Sequence, residues 1–300
     1  MAIVVHPEVE QAVGAGRPVV ALESTLISHG LPRPYNATVA HRMVEAVRSL
    51  GAVPAVTAVL DGALRIGLDA ADIDRLASSD AVVKCSTRDL ALAIASGAVG
   101  ATTVAATIYA AAQVGIRLMA TGGIGGVHRD FAGQHDVSAD LAELARSKVA
   151  VVCSGAKSIL DLPRTLEALE SLGVPVIGVG TARLPAFYAI DSGLDIRSVA
   201  DAPAAARLIR AHAALGWPGG MVLANPPPAD VAMPRAVMEE LIEAALGAAA
   251  RAGVHGPAVT PYLLDAIGRA TGGDSIEINS RLIISNCLLA TEIANYLSYN

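Results

Sequence analysis

The sequence predicts an α/β fold in which a mostly parallel sheet carries helices on both faces. Apolar runs rich in valine and isoleucine recur along the 300-residue chain and end in glycine or polar residues. Segments with helical periodicity lie between several of these runs, an alternation typical of layered α/β proteins. The composition agrees, because 53% hydrophobic but only 3% aromatic residues supply the small branched side chains of strands buried on both faces.

The strand predictions rest on apolar runs of four to eight residues bounded by turn residues. They cover residues 18–23, 53–60, 81–84, 117–121, 149–153, 174–179 and 220–224. The helix predictions cover residues 36–50, 161–172 and 232–252. The second of these begins at an Asp-Leu-Pro start signal and ends at Gly173. No Ser/Gly linker or charge block divides the chain, so we predict a single domain over residues 1–300.

Residues 90–116 carry no charged side chain and are long enough to cross a bilayer. Glycines at positions 97 and 100 and Gln113 interrupt the run, and alanine dominates over leucine. We therefore expect two buried helices joined by a Gly-Ala-Thr-Thr turn at residues 100–103. A membrane span is the alternative that hydropathy alone leaves open.

Charge and cysteine usage exclude some classes of protein. The net charge of −6 and a pI near 5.6 leave no broad basic surface for nucleic acid. Cys85, Cys153 and Cys287 lie far apart, which argues against a disulfide framework or a zinc ribbon and fits a reducing compartment. The apolar stretch that opens the chain is too short for a secretory signal, so we expect a cytoplasmic protein without membrane partners.

Active-site residues of parallel sheets lie at the carboxyl ends of the strands. Lys157 follows one such predicted strand after a turn of small residues. We expect it near the start of the next helix, where the helix dipole and partial burial favour the neutral, nucleophilic amine. A surface lysine with a snorkelling stem is the alternative. Residues 154–157 also match the S-x-x-K acyl-transfer motif, but its partner motifs S-D-N and K-T-G are absent.

Glu23 and Lys84 end two other apolar runs. A carboxyl group at a buried strand end can have a raised pKa and act as a general acid, or it can cap backbone donors. Lys84 is a counter-charge for an anionic substrate or an ordinary solvated charge. Asn225 also follows a predicted strand.

The glycine-rich stretch at residues 121–129 is either a phosphate-binding loop or a tight turn. It is not a dinucleotide fingerprint, because His128 occupies the third glycine position. Asp136 and Asp140 would share one face of a helix, where they either bind a hard divalent ion or stabilise the helix start. The turns at residues 100–104 and 271–275 are candidate phosphate contacts or helix caps.

Together, and in this order, the motifs resemble the pseudouridine-5′-phosphate glycosidase family, which is related to the indigoidine synthase A proteins. The resemblance runs from about residue 20 to residue 294. The matching stretches include Ala21-Leu22-Glu23-Ser24-Thr25, Gly100-Ala101-Thr102-Thr103-Val104, Thr121-Gly122-Gly123-Ile124-Gly125-Gly126, Asp136-Val137-Ser138-Ala139-Asp140, Gly155-Ala156-Lys157-Ser158, Leu184-Pro185-Ala186-Phe187, Ala224-Asn225-Pro226 and Thr271-Gly272-Gly273-Asp274-Ser275.

The resemblance implies a three-layer α/β/α sandwich, a homotrimer and reversible cleavage of pseudouridine 5′-phosphate to uracil and ribose 5-phosphate. It places Lys157 as the Schiff-base nucleophile, Glu23 as the proton donor and Asp136 as a Mn²⁺ ligand. The substrate positions that it implies are Lys84, Val104, Thr121, His128, Ser138, Ala139, Asp140 and Asn279. A Schiff-base aldolase or lyase acting on another phosphosugar, and a non-catalytic nucleotide-binding module, are the alternatives.

Overall fold

The computed structural model describes residues 2–129, 136–254 and 259–298. His135, which opens the acidic segment of the sequence, lies outside these residues, as do both ends of the predicted domain. The strands are β1 (Ile3–Val5), β2 (Val19–Leu22), β3 (Val53–Leu60), β4 (Ala63–Ile66), β5 (Val83–Cys85), β6 (Gly100–Thr102), β7 (Leu118–Ala120), β8 (Ala150–Cys153), β9 (Val176–Val179), β10 (Arg197–Val199) and β11 (Met221–Ala224).

The helices alternate with these strands along the chain. They are α1 (Pro7–Gly14), α2 (Tyr35–Ser49), α3 (Ala70–Ser78), α4 (Leu90–Ser96), α5 (Val104–Gln113), α6 (Ala139–Leu144), α7 (Leu162–Ser171), α8 (Ala202–Ala214), α9 (Arg235–Arg251), α10 (Val259–Ala270) and α11 (Asp274–Ser298). A π-helical turn at Leu26–Gly30 and a 3₁₀ turn at Thr87–Asp89 complete the elements.

The strands form one mixed sheet in the order β1-β4-β3-β2-β7-β8-β11-β9-β10, with β6 against β3 and β5 against β6. The two halves of the long strand β3 pair with different neighbours. Its first half pairs in parallel with β2, and its second half pairs antiparallel with β4 and β6. The remaining pairs are parallel, which confirms the prediction of a mostly parallel, mixed sheet.

Helices cover the sheet in two layers. The helix α11 packs on β2, β7 and β8 and lies between α2 and α8, while α5 packs on the same central strands β2 and β7 and contacts α6. Much of α5 is alanine, and its buried alanines let the helix approach the sheet closely. The architecture is the three-layer α/β/α sandwich expected from the sequence. One continuous hydrophobic core runs from Val9 to Ala294.

The segment 90–116 is organised differently from the prediction. Its two helices are present as α4 and α5, but residues 100–102 form the strand β6 rather than a turn. Gly100 is required there because a Cβ would lie 3.1 Å from Val59 and collide with the Cys85 sulfur. No helix in the described part of the chain is long and apolar enough to span a membrane.

Candidate active site

The candidate site lies where β2, β7 and β8 end side by side. Glu23 directly follows β2, Thr121 follows β7 and Lys157 stands in the turn after β8, while Lys84 extends from β5. These four side chains and Asn279 of α11 line one cavity. The other lining residues are Thr25, Leu26, His29, Gly30, Gly122, Gly123, Phe187 and Leu264. The parallel sheet thus brings five of the predicted residues together.

Glu23 is the buried acid of this cavity, with 5% of its surface exposed. Its Oε1 accepts a hydrogen bond from the Thr121 hydroxyl, and no other hydrogen bond to the carboxyl group occurs among the described residues. Burial raises the pKa of Glu23, while the charge of Lys157 and the Thr121 hydrogen bond oppose the rise. A carboxyl group in this setting retains its proton to higher pH than usual and can donate it from Oε2.

Buried hydroxyl groups fix the backbone beneath Glu23. The Ser24 hydroxyl donates to the Thr57 carbonyl at 2.6 Å and accepts from the Thr102 amide at 2.9 Å. The Thr102 hydroxyl donates to the same Thr57 carbonyl at 2.7 Å. Because all three residues are fully buried, these bonds hold the end of β2 against β3 and β6 and fix the position from which Glu23 projects.

Lys84 and Lys157 share the cavity as two neighbouring amines. Lys84 is exposed to solvent, yet the protein around its amine lowers its pKa, first by desolvation and then through the charge of Lys157. The carboxylates of Asp140, Glu23 and Asp136 oppose this shift. The positive charge of Lys157 thus adds to desolvation in holding the Lys84 pKa below its ordinary value, because like charges disfavour the protonated amine.

Lys157 lies in an irregular turn and not at a helix start. Its amide donates to the Ile124 carbonyl at 3.1 Å, and α7 begins only at Leu162, capped by Asp161. The prediction that a helix dipole acts on Lys157 was therefore wrong, because the field of a helix dipole fades beyond the first turn and α7 begins five residues later. The turn instead depends on Gly155, whose φ of +80° and close approach to the Pro185 carbonyl exclude a side chain.

The glycine-rich stretch is a packed junction between segments. The amide of Ile124 donates to the Gly155 carbonyl at 3.1 Å, that of Gly125 to Asp140 Oδ2 at 2.7 Å and that of Val127 to Thr165 Oγ1 at 3.0 Å. These donors are already engaged by the protein. The geometry therefore favours the tight-turn interpretation over a phosphate cradle for this part of the loop.

Asp136 and Asp140 do not share a helix face, so that prediction was wrong. The helix α6 begins at Ala139 with Ser138 as its cap, which leaves Asp136 outside the helix. The buried Asp140 carboxylate accepts from the amides of Ala105 at 2.8 Å and Gly125 at 2.7 Å. It thereby joins the start of α5 to the glycine loop, and its substrate contact stays a prediction.

Asp136 is exposed beside His128, with 3.9 Å between His128 Nε2 and Asp136 Oδ2. Burial lowers the pKa of His128, as do the charges of Lys157 and Lys84, while the Asp136 carboxylate raises it. Across residues 2–129, 136–254 and 259–298, no three His, Cys, Asp or Glu side chains come together as a metal cluster. A single exposed carboxylate fits a hard divalent ion that keeps water ligands and takes the rest from a substrate.

Of the remaining predicted positions, Asn279 lines the cavity, whereas Val104, Ser138 and Ala139 do not. The Val104 side chain is buried at the first residue of α5, so a substrate could meet only its backbone. Ser138 and Ala139 begin α6, and Ala139 is exposed. Asn279 is buried, and its Oδ1 has no hydrogen-bond partner in the described part of the chain. These substrate roles stay predictions.

Sequence reasoning assigned no role to several residues of the site. Phe187 packs against Gly123 with a left-handed φ of +60°, and its amide donates to the Ser154 carbonyl at 3.0 Å. His29 lines the cavity, and burial and the charge of Lys84 lower its pKa. A positive φ in a bulky residue marks a constrained site, but no local pattern reveals it in advance.

A buried acid and two lysines that line one cavity at the carboxyl edge of a mostly parallel sheet are an arrangement typical of an α/β enzyme. The chain belongs to the family described as Indigoidine synthase A like protein, which it matches over residues 8–296.

Sequence relatives and solved structures resemble almost the whole chain. The pseudouridine-5′-phosphate glycosidase of Herpetosiphon aurantiacus is 50% identical over 97% of this chain and 97% of its own length. That of a Roseiflexus species is 52% identical over 99% and 96%. The prealnumycin C-glycosynthase AlnA, solved in complex with ribulose 5-phosphate, superposes with a TM-score of 0.92 at 39% identity, covering 99% of this chain and 97% of AlnA. An indigoidine synthase A-like protein from Thermotoga maritima gives 0.89 at 32% identity, with the same coverage.

Proposed function

We propose that this protein cleaves and forms the C-glycosidic bond of pseudouridine 5′-phosphate, with uracil and ribose 5-phosphate as the other reactants. The observation that carries the proposal is the placement of Glu23 and Lys157 in one cavity, with Lys84 as a second cation. The names of the relatives support this substrate. The sugar phosphate bound by AlnA, which forms a C-glycosidic product by name, supports a phosphorylated pentose as the ligand class.

The first step opens the ribose ring. Glu23 donates its proton to the ring oxygen, and the C1′–O4′ bond breaks as the neutral amine of Lys157 bonds to C1′. The proton released from the lysine nitrogen returns to the Glu23 carboxylate. The raised pKa of Glu23 serves this step because it favours the protonated form, which donates the proton and is restored afterwards.

The second step breaks the carbon–carbon bond. A proton adds to C5 of the uracil ring, and the C1′–C5 electrons then return to the ring as the Lys157 nitrogen forms a cationic imine with C1′. Neutral uracil leaves with a new C5–H bond. Water adds to the imine and releases ribose 5-phosphate, the free amine and one proton. This proton replaces the one taken up at C5, so the cycle consumes only one water molecule. A carbon leaving group thus departs without an oxocarbenium ion like that of ordinary glycosidases.

Binding of the base and the phosphate draws on the rest of the cavity. The aromatic ring of Phe187 offers an apolar wall, and the unpartnered Oδ1 of Asn279 can accept an N–H of uracil. Lys84 supplies positive charge to an anionic substrate. A buried acceptor without a partner favours a ligand that donates to it, because leaving it unpaired costs about 1–3 kcal/mol.

We assign Mn²⁺ to Asp136, where the ion would order water and substrate oxygens and balance negative charge. Its test is removal of divalent ions with a chelator followed by titration of Mn²⁺. Turnover should fall when the chelator removes the metal and recover when Mn²⁺ is added. Asp136→Asn should raise the Mn²⁺ concentration needed for this recovery. Identical Mn²⁺ titrations for the two proteins would remove the assignment.

A homotrimer in the cytoplasm completes the proposal. Cys85, Cys153 and Cys287 are all buried free thiols, which suits a reducing compartment. Light scattering should give three times the chain mass of 30.4 kDa. A monomer at working concentration would refute the trimer.

A substrate panel tests the function. The protein should release uracil from pseudouridine 5′-phosphate and leave uridine 5′-phosphate and pseudouridine without phosphate largely intact. Turnover of phosphosugars that lack a base, with none of pseudouridine 5′-phosphate, would instead identify an aldolase or lyase. Binding of nucleotides without any turnover would identify a non-catalytic module.

A further inference from the structure

We propose that Asn286 of α11 is a positioning residue that sets the acid and the nucleophile at their working separation. This inference rests on the proposed function. The Asn286 side chain is fully buried, and its Nδ2 donates to the Thr121 carbonyl at 2.8 Å and to the Ser154 hydroxyl at 3.2 Å. One amide group thus joins the residue after β7 to the residue after β8.

The other side of the same amide reaches a third strand end. Oδ1 of Asn286 accepts from Nδ2 of Asn225, which follows β11, at 2.9 Å. The Asn225 amide also donates to the Ser285 hydroxyl at 3.1 Å. The hydrogen-bonded side chains of Asn225 and Asn286 therefore connect α11 to the ends of three neighbouring strands, at the edge of the sheet where the cavity lies.

These bonds connect directly to the groups that react. Thr121, whose carbonyl Asn286 holds, donates its hydroxyl to Glu23. Ser154, whose hydroxyl Asn286 also holds, opens the turn that carries Lys157, and its amide donates to the Gly122 carbonyl at 2.8 Å. Asn286 itself does not line the cavity. It acts through the two loops, and a displacement of about 1 Å in such a geometry can lower a rate about a hundredfold.

The proposal is distinguishable from a purely structural role. Asn286→Leu keeps the volume and removes both donors, and Asn286→Ala removes the side chain. The matched control is Thr291→Val on the same helix, since Thr291 is also fully buried but donates only to the Cys287 carbonyl within α11, at 2.8 Å. Asn225→Ala removes only the hydrogen bonds that Asn225 donates to Asn286 and Ser285. It replaces the Asn286 variants in the experiment if both of them fail to fold.

The experiment compares kcat and KM for pseudouridine 5′-phosphate with thermal unfolding, and follows the carboxyl group of Glu23 by carbon-13 NMR against pH. We expect Asn286→Leu to lower kcat 10- to 100-fold with KM within about threefold, and to move the Glu23 titration. Asn225→Ala should act in the same direction but less strongly. Thr291→Val should lower the unfolding temperature while its kcat and the Glu23 titration stay at wild-type values.

Unchanged kcat and an unchanged Glu23 titration in Asn286→Leu, with only a lower unfolding temperature, would overturn the proposal. The same holds for Asn225→Ala if it replaces that variant. Failure of the wild-type protein to cleave pseudouridine 5′-phosphate would refute the proposed function instead, and the NMR titration then tests the positioning role without turnover.

Discussion

The Thr121 hydroxyl donates a hydrogen bond to Oε1 of Glu23 and joins the ends of two adjacent parallel strands through the side chains that follow them. This bond stabilises the carboxylate form, while burial stabilises the protonated form. The charge of Lys157 also stabilises the carboxylate form. The acidity of Glu23 is therefore set by opposing effects, of which a substitution of Thr121 removes the hydrogen bond.

Thr121→Val removes the hydroxyl donor and keeps the shape of the side chain. The pKa of Glu23 should rise further, because the carboxylate loses a bond that the protonated form needs less. Activity requires the protonated acid, so the alkaline limb of the pH profile of kcat/KM should move to higher pH. The maximal kcat should fall about tenfold because the acid is less firmly held. An alkaline limb that stays in place or moves to lower pH would contradict the assignment of Glu23 as the proton donor.

Glu23→Gln should abolish turnover and change how stability depends on pH. The unfolded chain releases the Glu23 proton near its ordinary pKa of 4.5, but the folded protein retains it to higher pH. The wild-type protein therefore loses stability as pH rises from about 4.5 through the raised folded-state pKa, and the variant does not. Urea unfolding at several pH values should show the gain in unfolding free energy of Glu23→Gln growing across this window. Glu10→Gln, on the exposed face of α1, is the control for removing one carboxylate.

Gly125→Ala tests the close packing of the glycine loop. A Cβ at this position would collide with the Ser138 hydroxyl and lie 2.8 Å from Asp140 Oδ2. We expect a loss of about 1–3 kcal/mol in unfolding free energy, with impaired turnover, because both neighbours belong to the cap of α6 and the Asp140 junction. Gly247→Ala in α9 meets only the flexible end of Arg251 at 3.4 Å. The unfolding free energy of this control should increase by about 0.5–1 kcal/mol, since alanine is more favourable than glycine in a helix interior. Equal effects of the two substitutions would refute the packing account.

The long elements with a regular apolar pattern were predictable. β3 was predicted at residues 53–60, and the helices at residues 36–50 and 161–172 were predicted to within one residue at each end. Short elements were not. The three residues of β6 resemble a turn locally and become a strand only because β3 and β5, distant in sequence, pair with them. The 25-residue helix α11 was missed because buried polar residues such as Asn286 interrupt its apolar face.

The candidate site was likewise predictable only in part. Glu23, Lys84 and Lys157 were predictable because each follows or ends an apolar run, and parallel topology collects such residues at one edge. The surroundings of these residues were not predictable. The link from Asn286 to Ser154 spans 132 positions of sequence, and the double hydrogen bond of Asp140 depends on where α5 and the glycine loop meet. Such contacts are set by tertiary packing, of which a single sequence carries no local signal.

Imine trapping at Lys157 tests the central claim most directly. The chain contains three lysines, Lys84, Lys148 and Lys157, and Lys148 is exposed just before β8, at the far end of that strand from the Lys157 turn. The protein would be incubated with ribose 5-phosphate, reduced with borohydride and mapped by peptide mass spectrometry, with Lys157→Ala and Lys148→Arg in parallel. We expect one pentose-phosphate adduct on Lys157, retained in Lys148→Arg and lost in Lys157→Ala. No adduct on Lys157 in folded, metal-supplied protein, or equal labelling of Lys148, would contradict it.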